Sequence, residues 1–320
     1  RINGKDSNES VASIDTTVQE KNITFPTDSK LHRKIIDKCR NIAEKENLPV
    51  RQSYTRTLKK LSLDQRFRNH PRNKWKARKA DRKEKTIAGR LVRELERNLS
   101  PDSRYQSDID LFKRILNQKK SDKNKIYSVH EPDVQCISKG KEHKKYEFGN
   151  KVSIIYTQTT GVIIGALGFR NPYDGHTIEP ALEQTERLLG KRTLKTLIGD
   201  RGYKGKRQIN DTTIEIPKPF NNRKQSQYQQ NKLKKQFRKR AAIEPINGHL
   251  KTDHRLNRNF YKGITGDNIN VMLAAAAFNF KRMMNKWKSS FWLEFKIQIV
   301  DLIKAMFYKI NNNIIRKWAF

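Results

Sequence analysis

Strand-patterned segments of this 320-residue chain are separated by a long helical stretch, and any fold must bring them back together. Ser10 to Phe25 reads as strand: Val11, Ile14, Val18 and Ile23 are β-branched, Thr16, Thr17 and Thr24 suit a pleated surface, and Pro26 ends the run. Helix-cap chemistry follows in Pro26-Thr27-Asp28-Ser29, and Leu31, Ile35, Cys39 and Ile42 then step along one helical face. Three further helices are expected before residue 122, around Leu58, Leu61 and Phe67, around Ile87, Leu91 and Leu95, and over Asp108–Leu116. Strand character returns at Ile126. Tyr127, Val129, Val134 and Ile137 read as one strand, Val152–Tyr156 as a second and Gly161–Leu167 as a third. Thr159-Thr160-Gly161 forms the turn of an antiparallel meander. Glu179–Leu189 is a helix, Leu194–Ile198 a short strand closed by Gly199-Asp200-Arg201-Gly202-Tyr203, and Thr213–Ile216 another strand. Arg223 to Lys251 is helical. Asn268 to Trp287 is apolar on most sides and reads as a buried helix, and a helical tail with Trp292, Phe295, Ile299 and Ile303 follows.

Charge narrows the partner. Lys and Arg number 69 against 33 Asp and Glu, a formal charge of +36, and hydrophobic residues are only 35%. A wholly disordered polycation would lack the 14 Phe, 10 Tyr and 4 Trp and the periodic apolar stripes. The window Arg51–Arg90 holds 15 basic residues and three acids, and Arg201–Lys262 holds 17 and four. Such concentration points away from a generic metabolic enzyme and towards a polyanion, most simply nucleic acid. With two cysteines, Cys39 and Cys136, a disulfide framework and a multi-thiolate zinc site are both excluded, and a reducing, intracellular compartment is expected. The apolar run Val271–Phe280 is too short to span a bilayer. The start at Arg1 suggests a missing N-terminal part.

Three acids stand out. Asp15 lies inside an apolar strand, where a carboxylate is costly unless paired, hydrogen-bonded or on a metal; a solvent-facing strand edge is the alternative. Asp200 follows a strand directly and is flanked by glycines, at the kind of strand end where sites gather in open α/β sheets. Glu244 sits among cations, with Arg240 four residues before it and Lys251 seven after. An intrahelical ion pair with Arg240 competes with a metal-binding role. Three acids without thiolates suit Mg²⁺ or Mn²⁺, and a pair of such ions would activate a water or a 3′-hydroxyl at a phosphodiester.

The run Arg240-x3-Glu244-x6-Lys251 resembles the Y-x2-R-x3-E-x6-K signature of DDE transposases, in particular the insertion-sequence-five family, with Phe237 at the Tyr position. Ile14-Asp15-Thr16-Thr17-Val18-Gln19, Tyr127–Asp133, Tyr146–Lys151 and Leu197-Ile-Gly-Asp200-Arg-Gly-Tyr203 are similar to stretches of the same proteins. The resemblance runs from about residue 10 to residue 287. It implies an α/β, ribonuclease H-like mixed sheet flanked by helices, with an all-helical basic insertion after the first strand. The expected division is 1–28 with 123–287 as the catalytic domain, 29–122 as the insertion and 288–320 as a C-terminal helical tail.

The resemblance further implies metal-dependent DNA cleavage and strand transfer, with Asp15, Asp200 and Glu244 holding two Mg²⁺ or Mn²⁺ ions. Asp28 and Asp133 are rival first acids; Asp28 fits better as a helix-start residue, and Asp133 lies on a later strand. Arg201, Tyr203, Lys204, Arg240 and Lys251 are the expected DNA contacts. The resemblance places the turn Asn171–His176, with Asp174 and His176, near the active site. His249 is expected to face DNA or the core. The insertion is expected to hold DNA or to form a dimer surface. The partners expected are double-stranded DNA and further copies of the chain, in the cytoplasm at the nucleoid and not at a membrane. The competing readings are a catalytically inactive, transposase-derived DNA-binding protein and an RNA- or ribosome-associated basic protein.

Overall fold

The computed structural model describes residues 8–138, 144–190, 194–217 and 226–317. Its strands are β1 (Val11–Glu20), β2 (Gln135–Ser138), β3 (Tyr146–Thr157), β4 (Ile163–Phe169), β5 (Thr196–Ile198), β6 (Gln208–Ile209) and β7 (Thr212–Glu215). The helices are α1 (Asp28–Lys45), α2 (Thr55–Asp64), α3 (Lys74–Asn98), α4 (Gln106–Asn117), α5 (Ile178–Leu189), α6 (Gln227–Arg240), α7 (Ile243–Thr252) and α8 (Gly263–Lys317). The strand order is β2-β3-β1-β5-β7-β6, and β4 also pairs with β3. β5 runs parallel to both β1 and β7, while β2 is antiparallel to β3 and β6 to β7. The chain is thus a mixed α/β fold. No helix among the described residues is long and apolar enough to cross a membrane.

Two compact units divide the chain. One comprises residues 1–17, 152–257 and 268–320, the other residues 18–151 and 258–267. The second takes in the expected insertion 29–122 together with its flanking strand segments. The helix end expected near residue 287 does not occur, because α8 continues without a break through the tail.

In the first unit the sheet is covered on both faces, as strand periodicity requires. Ile14, Ile155, Leu197 and Ile214 pack with Ala181 and Leu182 of α5. The alternate residues Val152, Ile154 and Tyr156 pack with Ile243, Ile246 and Leu250 of α7 and Val271, Ala274 and Phe278 of α8. α8 is therefore not buried all round, as its composition suggested. Met272, Leu273 and Phe280 on its other side are exposed. The β3–β4 turn falls where expected, with Gly161 at φ 64° and the Thr157 N–H donating to the Val162 carbonyl at 2.9 Å.

In the second unit the apolar stripes of α1–α4 are spent on one another. Ile35, Cys39, Leu58, Leu61, Ile87, Leu91, Ile109 and Phe112 form one core. Thr27 caps α1 by accepting from the Lys30 N–H. Phe67, expected on the stripe of α2, lies beyond the end of that helix and is 77% exposed. Tyr127 to Val134 are not strand: Ile126 and Val129 instead close the helical core. β1 also stops at Glu20, short of Phe25. The Ile23 N–H donates to the Lys21 carbonyl, which turns the chain out of the sheet.

Two buried polar clusters tie this unit. Glu84 of α3 is fully buried and accepts from Ser29 at 2.9 Å and Gln65 at 2.8 Å, and it pairs with Arg33 of α1. Lys21, at the end of β1, is buried with Asp267 at 2.5 Å and Glu131 at 3.4 Å. Asn150 and Asn259 donate to the same Asp267 carboxylate. Burial raises the Asp267 carboxyl above its ordinary range, and the Lys21 ammonium opposes that shift.

Removing one partner of a buried charge leaves the other uncompensated. Arg33→Ala should therefore cost the helical unit about 3 kcal/mol. The Cys39 thiol reports this directly: it is buried and its pKa is pushed up to about 12, chiefly by burial. In a Cys136→Ser background, labelling of Cys39 against urea should show a lowered midpoint for the variant. His32 supplies a pH signature. Burial holds its imidazole below the ordinary 6.5, so the unfolded chain protonates first as pH falls. The unit's stability should be full above that ordinary value and decline below it, and His32→Gln should reduce the decline in the same labelling assay.

Candidate active site

The parallel pairing of β1 with β5 sets the site. Val11 faces Thr196, Ala12 faces Leu197 and Ser13 faces Ile198. Asp15 and Asp200 each lie two residues beyond the Ser13–Ile198 pair, so the two acids share one edge of the sheet. Asp15 stays in the strand, and Asp200 stands just past the end of β5.

Asp200 is held by its own loop. The Gly202 N–H donates to Asp200 Oδ1 at 2.7 Å. A Cβ at Gly202 would lie 2.9 Å from that oxygen and 3.2 Å from Asp174 Oδ2, so both carboxylates crowd the glycine. Asp174, in the 3-10 turn Asp174–Thr177, accepts from Thr16 Oγ1 at 3.1 Å. That contact joins the turn to the residue next to Asp15. The turn Asn171–His176 therefore does lie beside the acids, through Asp174, while His176 is exposed.

Tyr203 is 1% exposed and packs in the core with Ile14 and Leu197. This corrects its expected place among DNA contacts: a ring so buried is a wedge beneath the site. Gly199 makes room for it, because a Cβ there would meet the ring at 3.0–3.1 Å. Burial drives the Tyr203 phenol well above its ordinary value, and Asp15, Asp174 and Asp200 push it in the same direction. The group stays neutral under three carboxylates. Arg201 and Lys204, its neighbours, are exposed.

The helix expected across Arg223–Lys251 is broken at Ala241–Ala242 into α6 and α7. Arg240 ends α6 and Glu244 lies in the first turn of α7, so an ion pair along one helix does not form. Arg240 instead reaches Asp15, with Nη1 3.6 Å from Oδ1. Asn247 Nδ2 donates to Asp15 Oδ2 at 3.2 Å. Asn247 Oδ1 is buried and accepts no hydrogen bond among the described residues. Tyr156 of β3 anchors the break by donating its hydroxyl to the Arg240 carbonyl at 2.8 Å. Glu244, one helical turn before Asn247, is exposed, and its carboxylate has no hydrogen bond or ion pair with any described residue. Lys251 is partly buried two turns further along α7, and Phe237 is partly buried on α6. His249 pairs with Asp253 at 3.0 Å on the exposed side of α7.

The rival acids sit elsewhere. Asp28 is in the first turn of α1 and faces Lys125 at 3.6 Å. Asp133 is exposed in the turn before β2, not on a strand, and both belong to the helical unit. Thr16, Tyr156 and Asn247 were missed in the sequence. Asn247 had a signal, its three-residue spacing from Glu244. Tyr156 had none, because its reach depends on the position of β3.

Among the described residues no three His, Cys, Asp or Glu side chains stand close enough to hold a metal ion. The donors at this edge are nonetheless all oxygens, the set a hard cation takes. The Arg240 guanidinium matches the charge of Asp15.

The family model of the transposase DDE domain matches residues 64–280, more than half the chain. The chain belongs to that family. The matched span includes Asp174, Asp200 and Glu244 and begins after Asp15. An uncharacterized protein, ORF8 in the nfe locus of Rhizobium meliloti, is 42% identical over 59 residues, which are 18% of this chain and 28% of that protein. No solved structure matches the chain significantly.

Two glycines test the geometry. Gly202→Ala should destabilise the first unit by about 1–3 kcal/mol, since neither carboxylate can retreat without losing a contact. Gly248→Ala, on α7 with nothing within 4 Å of the new methyl group, should be neutral or stabilising by about 0.4–1 kcal/mol. Urea denaturation of the two variants separates them; equal effects would show that Gly202 is not crowded.

Proposed function

We propose that this chain is the catalytic part of a transposase of the insertion-sequence-five family. It cuts DNA at element ends and joins the freed 3′-hydroxyl to target DNA. The observation that carries the reading is the β1–β5 register, which puts Asp15 and Asp200 at one edge of the sheet, where α7, the helix that bears Glu244, reaches Asp15 through Asn247. The strand sequence β4-β3-β1-β5-β7, with β1, β5 and β7 parallel, supports a ribonuclease H-like sheet.

Asp15, Asp200 and Glu244 are the residues that would hold Mg²⁺ or Mn²⁺, with Asp174 a further oxygen donor at the same edge. The bound metal supplies activation of a water or 3′-hydroxyl and charge neutralisation at the phosphodiester. Arg240 guards Asp15 in the meantime. Its guanidinium offsets the negative charge of Asp15, and it is also suited to grip a phosphate. Moving Arg240 from Asp15 to DNA would take one cation away from Oδ1. Tyr156 and Asn247 position these two groups.

The partner is double-stranded DNA at the nucleoid. Of the three acids in the Arg51–Arg90 window, Asp64 pairs with Lys76, Asp81 with Arg68 and Glu84 with Arg33. The cations of α3 from Lys74 to Arg90 are exposed. This surface suits phosphate contact.

The experiment is Mg²⁺-dependent cleavage of DNA carrying the element's own ends. Asp200→Ala and Glu244→Gln should each abolish cleavage while DNA binding in EDTA persists. Arg240→Ala should weaken DNA binding and tighten Mn²⁺ binding measured by calorimetry without DNA. Cleavage retained in Glu244→Gln removes that residue from the site. DNA binding with no cleavage by the unaltered chain favours the inactive, DNA-binding reading.

Salt separates backbone contact from other binding. Log affinity should fall linearly with log salt, and each lost phosphate contact should flatten the slope by about 0.9. Neutral substitutions at Lys74, Arg78 and Arg82 should do this across unrelated DNA sequences. A salt-independent affinity contradicts the assignment.

A further inference from the structure

The turn between α2 and α3 shows aromatic rings to solvent among cations. Residues 66–79 hold seven basic residues and no acid. Two large rings stand in that run, Phe67 at 77% exposed and Trp75 at 65%. Phe67 has φ 51°, a left-handed conformation that is an outlier for a bulky side chain. The chain thus holds an apolar ring in water on an unfavourable backbone, and the helical core does not include it. Outliers of this kind cluster at ligand clamps.

The ring has a firm mount. Gln65 Nε2 donates to Asp81 Oδ1 at 2.9 Å, and Arg68 pairs with the same oxygen at 3.0 Å. The residues that bracket Arg66 and Phe67 are therefore both tied to α3. The His70 N–H donates to the Phe67 carbonyl at 2.9 Å, and the Asn73 and Lys74 N–H groups donate to the His70 carbonyl. Hydrogen-bonded turns thus lead from Phe67 to the start of α3, where Trp75 is the second residue. The Lys79 ammonium lies 5.8 Å from the centroid of the Trp75 ring. Arg66, Arg72, Lys74 and Arg78 of the same run are exposed.

We propose that this turn is a binding site for the unpaired bases of a DNA strand, with Phe67 and Trp75 as stacking platforms and the neighbouring cations on the phosphates. Every base has a π-face that an aromatic ring can meet, so such a site tolerates any sequence. Bases inside a duplex are already stacked on one another, which makes the occupant a single strand. A protein partner would have to answer seven like charges. A polyanion that also carries flat rings matches both features of the turn. The choice of DNA rests on the reading under Proposed function: cutting and joining leave bases unpaired at the cut.

The test needs neither metal nor cleavage, so failure of the catalytic reading and failure of this one are told apart. The full chain is titrated in EDTA, by fluorescence anisotropy, with labelled DNA probes of ~15 nucleotides. One is a mixed-sequence single strand, one is the same strand with abasic sites in place of its bases, and one is the duplex. The abasic strand keeps every phosphate and should bind the unaltered chain at least ~10-fold more weakly than the intact strand. Phe67→Ala with Trp75→Ala should weaken the intact strand by ~10-fold or more and leave the abasic strand, the duplex and the salt slope unchanged. Phe67→Trp should keep the preference for bases. The urea midpoint of Cys39 labelling, in a Cys136→Ser background, should not move in these variants.

Equal affinity of the unaltered chain for intact and abasic strands overturns the proposal. So does a double variant that keeps the preference, or one that loses duplex binding to the same degree. A ribonucleotide strand of the same sequence that binds more tightly than the DNA strand overturns the choice of DNA.

Discussion

The parallel pairing of β1 with β5 is the constraint on which the site depends. A parallel pair needs a crossover, and here the crossover carries the whole helical unit, a β-hairpin and α5 before the chain returns. The register of three residue pairs decides which side chains share an edge. A slip by one residue would send Asp15 to the opposite face of the sheet. The apolar alternation of Ile14, Ile155 and Leu197 helps to hold the register, because a one-residue shift turns them out of the core.

Around that pairing, close approach does the rest. Gly199 lets the Tyr203 ring fill the space at the end of β5, and Gly202 lets two carboxylates converge. Like charges at short range are unfavourable unless something offsets them. At Asp200 the offset is a backbone N–H, at Asp174 it includes the Thr16 hydroxyl, and at Asp15 it is Arg240 with the Asn247 amide. The acids are thus held by different elements, which allows one to change partner without disturbing the others.

The excess positive charge follows a different logic from the core. In the helical unit the three acids of the Arg51–Arg90 window are spent on internal ties, and Glu84 is buried among donors from two segments, α1 and the end of α2. The cations that remain face outward. The stripes of α1–α4 close on themselves, whereas α8 has one stripe for its own sheet and one left over.

Much of this was legible in the sequence. Periodicity located α1, α3, α4, α5 and the β3–β4 turn, since each depends on neighbours a few residues away. The positions of Asp200 after a short strand and of Glu244 within a basic run were visible for the same reason. The failures share a cause. The end of β1 at Glu20, the break between Arg240 and Glu244, the burial of Tyr203 and the loop at Tyr127–Val134 depend on contacts from distant parts of the chain. Local pattern treats an aromatic beside an acid as a surface residue and a run of helix formers as one helix. It does not register that Tyr156 seizes the Arg240 carbonyl or that Gly199 opens a slot for a ring. By itself the sequence determined the elements, the basic surface and the candidate acids, because these follow from side-chain type and short spacing. Only the tertiary structure decided that Arg240 belongs to Asp15, that Asp174 joins Asp200, and that α8 lays one face on the sheet and leaves the other exposed. Each of those follows from which segments the parallel register brings together.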